Sequence, residues 1–339
     1  MNFIAEAARV LSALCVLVIF TTISCSKKEA EKKVAKPSED SILKAEEEKF
    51  IEQIIDSIIK VEQQEEEEFI KGLKSMESTD RGAGRASSNC PADMFFVRGG
   101  TFTMGGMPRR DEVVDAKGSE GSLDYSGRFF KWEIPAHSVK VNDFCIARQQ
   151  VSQKEWYEVM NTTLQKQHEL AKSRMPLIGE GDNFPMYYVN WYEAVEYTHK
   201  LSRKTGKRYR LLTEAEWEYA ARGGEHSKNT KYSGSNNLEA VAWYEGNSGR
   251  RVHESCLQVK NELGICDMSG NVSEWVGDWY ADYDDKYEVN PKGPSEGSNR
   301  VLRGGGWLNF AYFCRVAFRG SSRPDVRYDY VGFRIAVDP

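Results

Sequence analysis

RGGGWLNFAYFCRVAFRGSSRPDVRYDYVGFR, residues 303–334, mixes two kinds of residue that rarely share so short a stretch. One kind is architectural: Arg303-Gly304-Gly305-Gly306-Trp307, Cys314-Arg315-Val316-Ala317, Arg319, Pro324-Asp325, Arg327 and Val331-Gly332-Phe333-Arg334. Glycine allows tight backbone and guanidinium supplies donors in fixed geometry, so this subset reads as a hydrogen-bonded frame. The other kind fills the gaps: Leu308, Asn309, Phe310, Tyr312, Phe313, Phe318, Gly320, Ser321, Ser322, Arg323, Val326, Tyr328, Asp329 and Tyr330. No helical or strand period organises these, and their mix of Tyr, Phe, Ser, Gly, Asn, Asp and Arg is that of a paratope.

Two readings of the gap positions compete. Aromatic residues are more often buried than displayed, which favours a core cluster. Against it, they sit among turn-forming residues in what should be loops, where an apolar side chain has no face to hide on. Display is the stronger reading, and the gap positions are the candidate ligand-binding residues.

Upstream of this stretch, three helix starts are announced by capping. Ser152 with Glu155, Asn190 with Glu193, and Thr213 with Glu216 each place a cap side chain three residues before a glutamate that can reach back to it. The second and third helices are expected to stop at Gly206 and Gly223. Residues 95–106 predict two short strands broken by Gly99-Gly100, and residues 138–146 alternate as one strand. Residues 109–125, charged and glycine-rich, read as a surface insertion, and residues 81–88 as a small-residue linker ahead of a domain that begins near Cys90. Few helices, many irregular segments and 8 tryptophans predict an α+β domain knit by aromatics and side-chain hydrogen bonds.

The 339-residue chain carries a net charge of -5, which offers no basic footprint, so no nucleic-acid partner is expected. Residues 1–24 read as a secretory signal, with Arg9 in the positive region and an apolar run too short to span a bilayer comfortably. Thr22-Ile23-Ser24-Cys25 resembles a lipobox with Cys25 as the lipidated residue. The expectation is an exported lipoprotein, anchored by lipid to the outer membrane at the cell surface. Residues 25–89 then read as a charged tether with an amphipathic helix, carrying Leu43, Phe50, Ile54, Ile58 and Val61 on its apolar stripe.

Four motifs carry a resemblance: residues 185–191, 208–224, 267–275, and 301–307 continuing to Gly332-Phe333-Arg334. In order and content they resemble the formylglycine-generating-enzyme domain over most of residues 90–339. That resemblance implies a C-type lectin fold, irregular and loop-rich. The last forty residues are similar also to the variable proteins of diversity-generating retroelements, in which mutated adenine-containing codons reach every residue except Lys, Glu, Gln, Met and Trp. None of those five types occurs at the gap positions. The function so implied is binding of a protein or glycan ligand on a host or neighbouring cell, without catalysis.

The rival is enzymatic. In the family's oxidase branch the resemblance implies a copper site of two cysteines, at places that Asn309 and Cys314 hold here. A soft Cu(I) site wants two thiolates, so one missing thiol argues against activity. His137, His168, His199, His226 and His253 show no ligand spacing. Beyond Cys25 five cysteines remain, an odd number that leaves at least one thiol over, with pairing undetermined. No cofactor is required. A structural calcium is the single metal the resemblance suggests, on Asp267, Gly270, Val272 and Glu274; the competing reading pairs the two carboxylates with the arginine frame.

Overall fold

A computed structural model describes residues 90–106, 113–114 and 129–339. The leader with Cys25, the amphipathic tether and most of the 109–125 insertion lie outside the described residues. The strands in chain order are β1 (Met94–Val97), β2 (Gly100–Met104), β3 (Val113–Val114), β4 (Phe129–Phe130), β5 (His137–Val141), β6 (Phe144–Ala147), β7 (Tyr209–Leu211), β8 (Ser273–Trp279), β9 (Glu288–Val289), β10 (Arg300–Arg303), β11 (Gly320–Ser322), β12 (Val331–Phe333) and β13 (Ile335–Val337). The helices are α1 (Gln153–Met160), α2 (Leu164–Ala171), α3 (Trp191–Thr205), α4 (Glu214–Ala221) and the single turn α5 (Leu238–Val241).

Both ends of the domain meet in one sheet of order β1-β6-β13-β7, while the C-terminal stretch builds a second of order β11-β10-β8-β12. The stretch therefore leaves the second sheet twice. One long loop joins β10 to the edge strand β11, and a second carries the chain across to β12 on the opposite edge.

The expected single strand over residues 138–146 is instead two, β5 and β6, in different sheets. Asn142 and Asp143 make the break. Asn142 N donates to Asn290 Oδ1 at 2.7 Å, and Asp143 Oδ1 accepts from Gly99 N at 2.8 Å. A side chain at Gly99 would stand 2.4 Å from Val141 O, so the β1–β2 turn crosses this break in close contact.

All three predicted capping boxes are present, at Ser152/Glu155, Asn190/Glu193 and Thr213/Glu216. α3 ends on Gly206 at φ 73, and α4 ends at Ala221, just short of Gly223. α2 was not foreseen: Thr163 caps it, but Lys166 holds the place of the reciprocal glutamate, so half the signal is missing.

Two apolar clusters fill the interior. One packs Trp156 against Tyr197 and Phe333, with ring centroids 5.9 and 6.1 Å away, beside the buried Trp275. The other surrounds Trp217 on α4 with Phe144, Leu212 and Val301. Disulfides join Cys90 to Cys145 and Cys256 to Cys266; Cys314 is a buried free thiol.

Candidate binding site

The frame arginines enter the interior and meet carboxylates there. α4 places Glu214 and Glu218 one turn apart, which puts both on one helix face. Arg319 forms a two-point pair with Glu214 at 2.6 and 2.7 Å, and Arg303 pairs with Glu218. Arg303 also donates to the carbonyl oxygens of Ala317 and Phe318, so it fastens the far end of the first loop to the sheet. Arg315 is held in two-point fashion by Glu133, both bonds 2.7 Å, and Arg334 by Glu274 at 2.6 and 2.7 Å. Nearer the surface Arg327 pairs with Glu193 on α3 at 2.7 Å. Such pairs are bidentate matches of planar groups, and removing one partner strands a buried charge. Burial alone would raise the Glu218 carboxyl, but Arg222 and Arg303 outweigh it and hold the group below its ordinary value.

Backbone details close the loop onto this base. Gly304 and Gly305 adopt φ 90 and 67, and a side chain at Gly305 would stand 2.9 Å from Phe313 O. Trp307, buried, donates Nε1 to Asp329 O at 3.1 Å and its own carbonyl accepts from Ser248 Oγ at 2.8 Å. The two variable-looking loops are thus pinned to each other and to the domain.

Around that base most of the gap residues are at least partly exposed. Phe310 is 55% exposed, and Tyr312, Phe313, Leu308, Asn309, Gly320, Val326, Tyr328, Asp329 and Tyr330 are partly exposed; Ser321 and Arg323 are exposed. Phe310, Tyr312 and Phe313 form a row of rings, with centroid spacings of 6.1 and 4.1 Å. Tyr328 and Tyr330 form a second pair 5.1 Å apart.

Two expected display residues are buried instead, Phe318 and Ser322, each at 8% exposure. Phe318 lies under the row, edge-on to Phe313 at 4.7 Å, with its carbonyl taken by Arg303. Ser322 lies on β11 against β10, its hydroxyl 3.0 Å from that of Tyr328. The division between frame and display also moves the other way at Asp325, which is exposed and paired with Arg323 at 3.4 Å. Asn309, though partly exposed, commits its side-chain oxygen to Gly306 N at 2.8 Å. Around the face lie residues the sequence did not single out. Tyr188, at φ 58, donates its backbone N–H to Tyr328 O at 2.9 Å, and Arg300 is sandwiched between Trp191 and Trp279 at 3.7 and 3.5 Å. A tyrosine forced to positive φ leaves no trace in a residue pattern, and stacking between distant segments leaves none either.

Burial pushes the Cys314 thiol up to about 12, so it is protonated at neutral pH and a poor metal ligand. The histidines lie apart in structural contacts: His253 stacks on Trp243 at 3.8 Å, and His137 sits edge-on to Tyr283 at 4.6 Å.

The calcium position can be tested against its donors. Asp267 O, Val272 O and Glu274 Oε1 do converge, but on the buried Nε2 of Gln150, which donates to them at 3.2, 2.8 and 3.0 Å. Glu274 is further taken up by Arg334 and by Trp217 Nε1 at 2.7 Å. Among the buried side-chain oxygens of this group only Asp267 Oδ1 and Gln150 Oε1 lack a partner, far short of the 6–8 oxygens calcium takes. The residues present do not fit the ion there: an amide donor stands in the place a cation would need.

Residues 81–339 match the model of the sulfatase-modifying factor enzyme 1-like domain. Treponema denticola variable protein 1 is similar in structure, with a TM-score of 0.58 and 30% identity over 73% of this chain and 95% of that one. Chaperone protein LppX of Paenibacillus barcinonensis is 31% identical, covering 57% of this chain and 81% of its own. A formylglycine-generating enzyme of Streptomyces coelicolor is 38% identical over 175 residues, 46% of this chain and 53% of the enzyme, so the match spans about half of that relative.

Proposed function

We propose, for a chain that belongs to the sulfatase-modifying factor enzyme 1-like family and has its C-type lectin fold, that it is a ligand-binding member and not an oxidase. The observation that carries this reading is the separation of the C-terminal stretch into a buried arginine–carboxylate base and a face of partly exposed aromatics standing on it. A base so constrained holds its loops while the residues above change, because substitutions away from a core cost little. Aromatic side chains on such a face bury large area at low entropic cost, which is how a few residues dominate an interface.

The ligand is a protein or glycan on a host or neighbouring cell, and the chain is exported and held at the surface by lipid on Cys25. Likeness to a variable protein supports diversification of the face. Screening the purified chain against surface extracts tests this: Phe310→Ser, Tyr312→Ser and Tyr328→Ser together should abolish binding while the fold persists. Undiminished binding by that folded variant would place the site elsewhere.

A further inference from the structure

Within the proposed face one carboxylate is treated unlike the others. Beneath the face Glu133, Glu214, Glu218 and Glu274 each meet an arginine, and at its margin Glu193 meets Arg327. The buried Asp267 and Asp278, which have no such partner, accept backbone N–H groups from Cys256 and Glu214 at 2.7 and 2.8 Å. Asp329, half-buried, has no arginine and no backbone N–H from another residue. Among the described residues no lysine, arginine or histidine pairs with it, and its own backbone N–H is the single hydrogen-bonding influence on its carboxyl. The neighbouring cations are committed, Arg323 to Asp325 and Arg327 to Glu193.

Its backbone is nonetheless fixed. Trp307 Nε1 holds its carbonyl, Tyr188 N holds the carbonyl of Tyr328 on one side, and Ser273 N holds that of Tyr330 on the other at 2.7 Å. The flanking rings of Tyr328 and Tyr330 stand 5.1 Å apart. A half-buried carboxylate on a fixed backbone, flanked in the chain by two paired tyrosines and lacking a counter-charge, is a seat for a cation.

We propose that the face of this chain recognises a cationic group, a lysine ammonium or an arginine guanidinium on a protein partner, seated on Asp329 beside Tyr328 and Tyr330. This rests on the binding reading above. Burial raises the Asp329 carboxyl; burial first, with the Asp329 charge adding to it, raises the hydroxyls of Tyr330, Tyr187 and Tyr188, so several phenols share its surroundings. A bound cation relieves that cost and gains attraction from the rings. An anionic ligand group would meet the carboxylate head-on.

The test titrates the full chain with N-acetyl-arginine amide and N-acetyl-lysine methylamide, followed by NMR, with the side-chain-acetylated lysine as a neutral control. Saturable binding is expected, weakened tenfold or more by Asp329→Asn and by acetylation of the lysine. Asp325→Asn makes the same charge change four residues away and should leave it intact. Absence of saturable binding, or equal loss in both variants, overturns the proposal. If the triple serine variant has lost binding to surface extracts while the cation probes fail, the cation inference alone falls. If that variant still binds, the display reading falls with it.

Discussion

The indole of Trp307 donates to the backbone carbonyl of Asp329 at 3.1 Å, linking the buried start of the first loop to the half-buried end of the second. The same indole is nearly enclosed, so one side chain serves both packing and the placement of the face. Trp307→Ala is therefore expected to cost about 3–5 kcal/mol by cavity formation. Arg319→Ala, which breaks the two-point pair and leaves Glu214 only Arg303 at 3.7 Å, should cost about 3 kcal/mol. Phe310→Ser, at an exposed position, should stay within about 0.5 kcal/mol of the parent. Denaturant unfolding of the three variants measures the contrast.

Oxidation chemistry is expected to be absent. With Asn309 bonded to Gly306 and Cys314 protonated and enclosed, the purified chain supplied with Cu(I) should not convert the cysteine of a sulfatase-type peptide. Turnover that Cys314→Ala abolishes would show that the enzyme reading is the right one.

Calcium should leave the domain unchanged. Gln150 Nε2 already occupies the convergence of Asp267 O, Val272 O and Glu274 Oε1, so melting temperatures in millimolar calcium and in EGTA should coincide. Gln150→Ala removes the donor and should lower the melting temperature in both buffers. A calcium-dependent rise in the parent would contradict the exchange of ion for amide.

Stability should fall with rising pH through one identifiable group. Burial first, and Glu214 next, push the Asp278 carboxyl up to about 8, against an ordinary aspartate value of about 3.9 in the unfolded chain. Between those values the folded state keeps a proton that the unfolded state has released. The contribution is thus full below the lower value and is lost as pH rises through the higher one. Asp278→Asn keeps an acceptor for Glu214 N but cannot ionise. It should be more stable than the parent at pH 8, with the difference closing toward pH 4 in thermal melts.

Much of this was legible in the residues, and the exceptions have physical causes. Capping boxes are local, three residues long, and all three were found where Ser152, Asn190 and Thr213 place them. The frame was readable because arginine and glycine together have few other uses. What failed was whatever depends on distant contacts. Nothing near residue 142 says that Gly99 and Asn290 will meet there and split a strand. Phe318 and Ser322 share the composition of the display set, yet the bond from Arg303 and the pairing of β11 turn them inward. Gln150 is silent in sequence, since a glutamine becomes a stand-in for an ion only once three oxygens close around it.

The central claim is that a fixed base carries a face free to vary, and it can be tested without knowing the ligand. Two libraries of the full chain would be compared by protease resistance, one randomised at Phe310, Tyr312, Ser321, Arg323, Tyr328 and Tyr330, the other at Arg303, Trp307, Arg315, Arg319 and Arg334. The account predicts that most members of the first stay folded and almost none of the second do. Equal losses in both libraries would mean that the aromatic face is itself part of the core, and would contradict it.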